Sequence, residues 1–280
     1  MAPESFEAKS FWMTTRPYRP GPPLQGDLEV DVAVVGGGFT GLAAAYFLKR
    51  DEPGLRVALL EGEVIGFGAS GRNGGFNMTL FGLTLSITAL RFGKARAREA
   101  HHYMERAVDA LRDLVRDLKL DCDYEHPGFL RVATSESYRK RILHEIELAH
   151  RLGLSGIEWI DAERLAQEVR SPQYLGAWWE PRCGLLNPAK QVRELKRVAA
   201  QFGAHIYENT PVTAIARGAR FTLRTPGGTV RAERIAFTVN AYSHLFPQLR
   251  RRQMPAFTYM IATAPLTPAQ LEPIGWKGLE

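Results

Sequence analysis

The sequence predicts an α/β fold in which a Rossmann-like dinucleotide-binding domain is interleaved with a second, α+β domain. Three observations carry this. A strand, a glycine-rich turn, a helix and a second strand follow one another between Glu29 and Glu61; a helix-rich stretch without that pattern comes next; and strands return after Pro188. The 280 residues suffice for about two domains. With 45% hydrophobic and 24% charged residues the chain falls among ordinary globular proteins, away from disordered, collagen-like and disulfide-scaffold classes. The net charge of +6 suits an anionic ligand, but the basic residues are spread evenly. Even Arg250-Arg251-Arg252 reads as a solvated loop, so no nucleic-acid partner is expected.

Residues 1–27 form an arm in which Pro17, Pro20, Pro22 and Pro23 predict extended chain, either anchored by Phe11 and Trp12 or left as a loose tail. The β-branched run from Glu29 to Val35 predicts a strand buried on both faces of a parallel sheet. A helix follows over 41–50, Pro53-Gly54 breaks it, and a strand over 55–61 completes a right-handed βαβ unit. The glycine-rich residues 62–86 read as one long ordered loop of the kind that carries function.

An apolar stripe from Ala100 to Leu118 predicts a helix over 94–120. Its adjacent His101 and His102 point about 100° apart, so they cannot chelate a metal as an i, i+4 pair does, and exposed or capping roles are expected. Further on, the patterns predict a strand over 128–133, a helix over 135–152 and a short helix over 161–169 capped by Asp161. Tyr174, Trp178 and Trp179 either line a pocket or are buried at a domain interface. A helix over 188–202 then leads into strands over 204–207, 212–216, 220–225, 230–232 and 235–239, with a hairpin at Pro226-Gly227-Gly228. The first domain is thus expected over 28–88 and 184–246, and the second over 89–183 and 247–280.

Cys122 and Cys183 are far apart and belong to no Cys/His cluster, which argues against a disulfide framework or a metal site and favours a reducing, cytoplasmic compartment. The first ten residues lack the apolar run of a signal peptide. The apolar stretch 30–48 contains Asp31 and four glycines, so it reads as strand, turn and helix rather than a membrane span, and no membrane partner is expected.

Two motifs carry the chemistry. Gly36-Gly37-Gly38-Phe39-Thr40-Gly41 matches GxGxxG between a strand and a helix: Gly36 permits the turn, Gly38 the approach of a pyrophosphate, and Gly41 close packing of helix on strand. The helix N-terminus adds free N–H donors and partial positive charge. Glu61 ends the next strand about twenty residues on, where a carboxylate accepts both ribose hydroxyls and disfavours a 2′-phosphate. A glycine-rich turn without a ligand is the alternative. The second motif, Gly66 to Gly75 (GFGASGRNGG), is a segment that nicotinamide-binding domains do not ordinarily need.

With GGGFTG, Glu61 and GASGRNGG in this order, the chain resembles the FAD-dependent D-amino acid oxidase/glycine oxidase (DAO) superfamily, and within it the γ-glutamylputrescine oxidase-like amine oxidases. The Phe11-Trp12 arm, Gly184-Leu185-Leu186-Asn187-Pro188, Thr210-Pro211-Val212 and Asn240-Ala241-Tyr242-Ser243 extend the resemblance through nearly the whole chain. It implies a glutathione reductase-type FAD-binding domain. Gly36, Gly38, Phe39, Thr40 and Gly41 would contact the pyrophosphate, Glu61 the adenosine ribose, and Val212 the adenine. Gly68, Ser70, Gly71, Arg72, Asn73 and Gly74 would run beside the pyrophosphate, ribityl chain and flavin, with Arg72 either facing the flavin or held in a structural ion pair.

The activity implied is oxidation of the C–N bond of a primary or secondary amine or amino acid, hydride passing to flavin N5 and electrons on to O2 to give H2O2. A dehydrogenase using another acceptor, or a non-catalytic FAD-binding fragment, is the alternative. Relatives of this kind continue for well over a hundred residues beyond the position of Glu280, so the substrate domain is expected to be incomplete and the oxygen-activating residue to lie outside this sequence. Tyr259, in the strand-like PAFTYMIATA, is the candidate substrate-facing residue, with core packing as the alternative.

Overall fold

The computed structural model describes residues 5–276, apart from 248, 250 and 257. Arg250 of the arginine run, Phe257 and the last four residues therefore lie outside the described residues.

In chain order the elements begin with α1 (Phe11–Thr14), β1 (Leu28–Val35), α2 (Phe39–Asp51) and β2 (Val57–Leu60). There follow β3 (Phe76–Asn77), α3 (Leu85–Phe92), α4 (Lys94–Asp117), β4 (Phe129–Val132), α5 (Glu136–Arg151), β5 (Glu158–Asp161), α6 (Ala162–Leu165), β6 (Gly176–Glu180) and β7 (Gly184–Leu185). The rest comprises α7 (Pro188–Gln201), β8 (His205–Tyr207), β9 (Ala214–Arg217), β10 (Phe221–Thr225), β11 (Gly228–Phe237) and α8 (Pro268–Leu271). Two compact units result. The first is Met1–Gly74, Leu120–Cys122 and Asn187–Met260; the second is Gly75–Lys119, Asp123–Leu186 and Ile261–Glu280.

The first unit is built on a six-stranded sheet in the order β8-β2-β1-β11-β10-β9. β8, β2, β1 and β11 run parallel, while β10 and β9 return antiparallel. The apolar run of β1 is buried at the centre, as two-sided covering of a parallel strand requires. The two strands expected over 230–232 and 235–239 are a single strand, β11, whose ladder with β1 continues through Val32↔Arg234. The charged residues that suggested a break turn their side chains out, where Glu233 meets Arg220.

α2 and α7 are locked by an edge-on contact of Tyr46 with Phe202. The arm is not extended throughout, because no proline falls between residues 4 and 16 and Ser10 caps the α1 turn by accepting from the Trp12 amide. Met13 on that turn is fully buried, and from Thr15 to Asp27 the chain forms no helix or strand.

In the second unit β4, β6 and β5 form an antiparallel sheet, and β3 pairs with β7. Trp178 and Trp179 lie on its central strand and face opposite sides: Trp178 packs with Ile142, Ile146 and Ala149 of α5, and Trp179 with Ile160 and Leu165. The long loop expected over 62–86 ends in helix, since Thr84 caps α3, and Gly93, at φ 87°, separates α3 from α4. Of the histidine pair, His101 is not exposed: its side chain is only 10% accessible. The stretch containing Tyr259 joins no sheet, because no strand of the described residues offers it a backbone partner. None of the described helices is long and apolar enough to cross a membrane.

Candidate functional site

The C-terminal ends of β1, β2 and β11 converge on one cleft, the position that parallel α/β sheets use for ligands. It is a half-open cleft of about 340 Å³, walled by the turn after β1, the chain after β2, the 66–70 segment, Val212, and the 238–246 segment after β11. Gly36 has φ 109°, a backbone state reserved for glycine, and a Cβ there would press on the Thr238 carbonyl oxygen at 2.7 Å. At Gly41 a Cβ would run into the Gly36 carbonyl, so this glycine is required for the helix to rest on the turn. Gly38 differs: a Cβ would meet the side chain of Ser70, its hydroxyl at 2.8 Å, rather than backbone, so a side chain there would have to move the hydroxyl that accepts from the Phe39 amide.

Glu61 lines the cleft with its carboxylate turned toward the turn, accepting from the Gly37 amide at 2.6 Å and the Glu63 amide at 3.0 Å. Burial pushes its pKa up, against these two bonds. Each oxygen keeps acceptor capacity for a further donor. Ser70 accepts from the Phe39 amide at the start of α2, at 3.0 Å, which places an oxygen on the helix N-terminus.

Of the residues expected to bind a cofactor, Gly36, Gly38, Glu61, Gly68, Ser70 and Val212 line the cleft. Phe39 and Thr40 form the first turn of α2, and Gly41 lies beneath it. Gly71, Arg72, Asn73 and Gly74 lie outside the lining; the Gly71 and Asn73 carbonyls instead accept from Ser10 and the Trp12 indole of the arm. Arg72 makes no ion pair among the described residues. Its guanidinium lies 4.6 Å from the Phe67 ring, with Nε and Nη2 buried and without hydrogen-bond partners. Tyr259 is 91% exposed and outside the cleft, its ring in solvent rather than against a site. Both cysteines are buried and neither forms a disulfide among the described residues, and burial pushes the Cys183 thiol up to about 12, leaving it a poor nucleophile.

Sequence reasoning missed two groups. Thr238 donates to the Val35 and Gly36 carbonyls, each at 2.9 Å, and fixes the turn from the β11 side; its place just after a parallel strand beside β1 was the available signal. Glu208, 0% exposed, accepts from the Ile65 amide at 2.6 Å, the Tyr18 hydroxyl at 2.8 Å, the Gly21 amide and the Lys196 ammonium. It thereby ties the arm and α7 to the segment between Glu61 and Gly66. Burial, reinforced by the Glu208 charge, pushes the Tyr18 hydroxyl well above the ordinary tyrosine range and keeps it a donor.

The sequence profile of the DAO family, described as FAD dependent oxidoreductase, matches residues 31–278. The chain belongs to this family. It is 32% identical over 252 residues to gamma-glutamylputrescine oxidoreductase of Escherichia coli (strain K12), a match covering 89% of this chain and 58% of that protein. Among solved structures, glycine oxidase from Geobacillus kaustophilus superposes with a TM-score of 0.69 at 22% identity, over 80% of this chain and 59% of that one. Glycine oxidase from Bacillus cereus ATCC 14579 superposes with a TM-score of 0.59 at 27% identity, over 74% and 54%. The chain thus spans about three fifths of the length of the curated relatives it matches, from 58% to 61% for three of them.

The cofactor of the family is FAD. The residues present fit it: glycines open the backbone beside a helix N-terminus, the acid after β2 retains acceptor capacity, and the space beside Gly38 is one that a Cβ would fill.

Proposed function

We propose that the cleft holds FAD and that the site serves oxidation of the C–N bond of a primary or secondary amine or amino acid, of the γ-glutamylputrescine type. The observation that carries this reading is the convergence of GxGxxG, Glu61 and the Gly66–Ser70 segment on one cleft in a chain of the DAO family.

Gly36 and Gly38 would admit the pyrophosphate to the start of α2, where the Phe39 amide already donates to Ser70 and the next first-turn amide, Thr40, would meet it, while Gly41 holds the helix against the turn. Glu61 accepts the adenosine ribose hydroxyls, and Val212 packs against the adenine. Gly68 and Ser70 would follow the remainder of the cofactor, while Gly71, Arg72, Asn73 and Gly74, outside the cleft lining, would support that segment, with the Gly71 and Asn73 carbonyls held by the arm. When bound, FAD supplies the two-electron chemistry, accepting hydride at N5 from the amine carbon and passing the electrons to O2 or another acceptor. The protein's share is alignment and electrostatics, and a neutral amine is the form presented for oxidation.

The test is anaerobic mixing of the FAD-reconstituted protein with γ-glutamylputrescine, sarcosine or glycine. Bleaching of the flavin supports the reading, and H2O2 on admission of air identifies an oxidase. Bleaching without peroxide identifies another electron acceptor, whereas bound flavin that no amine bleaches leaves only a cofactor-binding role. Glu61→Ala is expected to weaken FAD by about 1–3 kcal/mol through lost charge-assisted hydrogen bonds, measured by flavin fluorescence titration.

A further inference from the structure

The second unit contains a half-open pocket of about 70 Å³ lined by the 78–85 segment, α3, α4, α5 and one face of the β4-β6 pair, and it shares no residue with the cleft of the first unit. Its apolar walls include Leu85, Phe129 and Trp178. Four ionisable side chains face it: His101, Arg131, Glu145 and Glu180. The carboxylates are deeply buried, Glu145 at 7% exposure and Glu180 at 4%. Glu145 accepts from the Ser86 hydroxyl and amide, and Glu180 from the Thr79 hydroxyl at 2.7 Å and the Trp178 indole at 3.3 Å. All of these donors are neutral, so each carboxylate keeps acceptor capacity, and neither makes an ion pair among the described residues, although the Arg182 charge acts on Glu180 from a distance.

The basic groups are in the opposite condition. Arg131 lies with its guanidinium 4.6 Å from the Trp178 ring centroid, and its Nε and Nη2 are buried without hydrogen-bond partners. His101 Nε2 is likewise buried and unpartnered, 4.0 Å from Glu105 Oε1 and beyond hydrogen-bond reach. Native proteins rarely leave such donors unfilled, because each costs free energy unless something accepts from it. No ion pair joins Arg131 to either carboxylate among the described residues, although the β4-β6 register sets Arg131 opposite Trp178 and one diagonal step from Glu180. Arg131 and Glu180 thus lie on the same face of the β4-β6 pair, as the acid and base partners of a two-ended ligand must.

Charge narrows the ligand class. One guanidinium faces two carboxylates, so a simple anion would meet net repulsion and a simple cation would leave the guanidinium fork unfilled. We propose that this cavity binds a small amino acid, its carboxylate held by the Nε and Nη2 fork of Arg131 over Trp178 and its ammonium by Glu145 and Glu180. His101 supplies a further donor to the carboxylate end. Planar two-point recognition of a carboxylate is what arginine provides and lysine does not.

The proposal rests on the second unit alone and does not depend on the FAD reading. Its test is isothermal titration calorimetry on the FAD-loaded protein under anaerobic conditions, with glycine and 4-aminobutyrate as probes and butyrate and butylamine as single-ended controls, the flavin spectrum being followed in parallel. At least one of the two amino acids is expected to bind at one site per chain and at least tenfold more tightly than either control. Arg131→Met and Arg131→Lys are each expected to weaken that binding at least tenfold and to leave flavin affinity unchanged. Saturable binding in the wild type that survives both substitutions would place the amino acid elsewhere and overturn the assignment. So would the absence of saturable binding by either amino acid, a control that binds as well as the amino acids, or failure of both variants to fold, which would make Arg131 a structural residue.

Discussion

Glu208 in the first unit is fully buried, Arg131 in the second is half-buried with two guanidinium nitrogens covered, and the two are treated in opposite ways. Around Glu208 two backbone amides, a tyrosine hydroxyl and a lysine ammonium close on the carboxylate, all from this chain. Around Arg131 only an aromatic face is supplied, and two donor atoms stay unfilled. A buried charge saturated by its own chain is scaffold; one left open marks a place where something else is accommodated. In the first unit the scaffold charge stands directly behind the cofactor cleft, holding the segment that carries Glu61 and Gly66.

The largest expected effect tests the saturated half of the comparison. Glu208→Ala leaves the Lys196 ammonium and two amides without their acceptor, and breaking a buried pair in this way costs about 3–5 kcal/mol, measured by urea unfolding. A loss below about 1 kcal/mol would mean that Glu208 holds nothing together.

Next comes a substitution that separates scaffold from ligand space within the first unit. Gly38→Val meets the Ser70 hydroxyl and not backbone, so the FAD-free protein should still fold and lose no more than that hydroxyl's bond to the Phe39 amide, about 0.5–2 kcal/mol. The side chain fills the approach to the start of α2, and FAD affinity is expected to fall by about 2 kcal/mol or more, read by flavin fluorescence titration. Retained affinity would remove the cleft assignment.

His101 provides a smaller, pH-dependent effect on the open half. Burial holds its pKa below 6.5, reinforced by His102 and Arg182 and opposed by Glu105. The unfolded chain therefore binds the proton more readily, so this residue's contribution to stability is complete above about pH 6.5 and is lost as pH falls through and below that value. His101→Gln is expected to flatten the fall in melting temperature between pH 7 and pH 5, roughly the range in which histidine titrates. An unchanged slope would show that the imidazole is solvated.

What the sequence made legible follows from where each signal resides. The βαβ unit, GxGxxG and Glu61 are local, because turn chemistry and strand periodicity are written in consecutive residues, and the structure brings Gly36, Gly38 and Glu61 to one cleft. The 71–74 segment was assigned by motif alone, and the structure turns its carbonyls toward the arm through Ser10 and Trp12, partners some sixty positions away that no local pattern discloses. Glu208 was invisible for the same reason, since its partners come from residues 18, 21, 65 and 196. In the second unit β6 is hidden because its aromatic pair, in a segment bounded by proline and glycine, reads as an interface or a pocket rather than as a strand. Only pairing with β4 and β5 reveals that Trp178 and Trp179 face opposite sides.

The smallest expected effect is the most discriminating for the comparison. Arg131→Met in the absence of any amino acid removes two buried donors that have no acceptor, relieving a desolvation cost of about 1–3 kcal/mol. It also removes the contact with Trp178, about 0.5–2 kcal/mol, while the methionine stem retains part of the packing. These terms nearly cancel, so unfolding free energy should stay within about 1 kcal/mol of wild type, with a melting temperature equal or slightly higher. A scaffold arginine behaves otherwise: if its fork were paired with Glu145 or Glu180 in solution, the substitution would strand a buried carboxylate and cost about 3–5 kcal/mol, as at Glu208. Urea unfolding of the two variants side by side therefore separates the saturated charge from the open one. Equal losses at the two positions would show that Arg131, like Glu208, is committed to the fold and has no fork to offer a ligand.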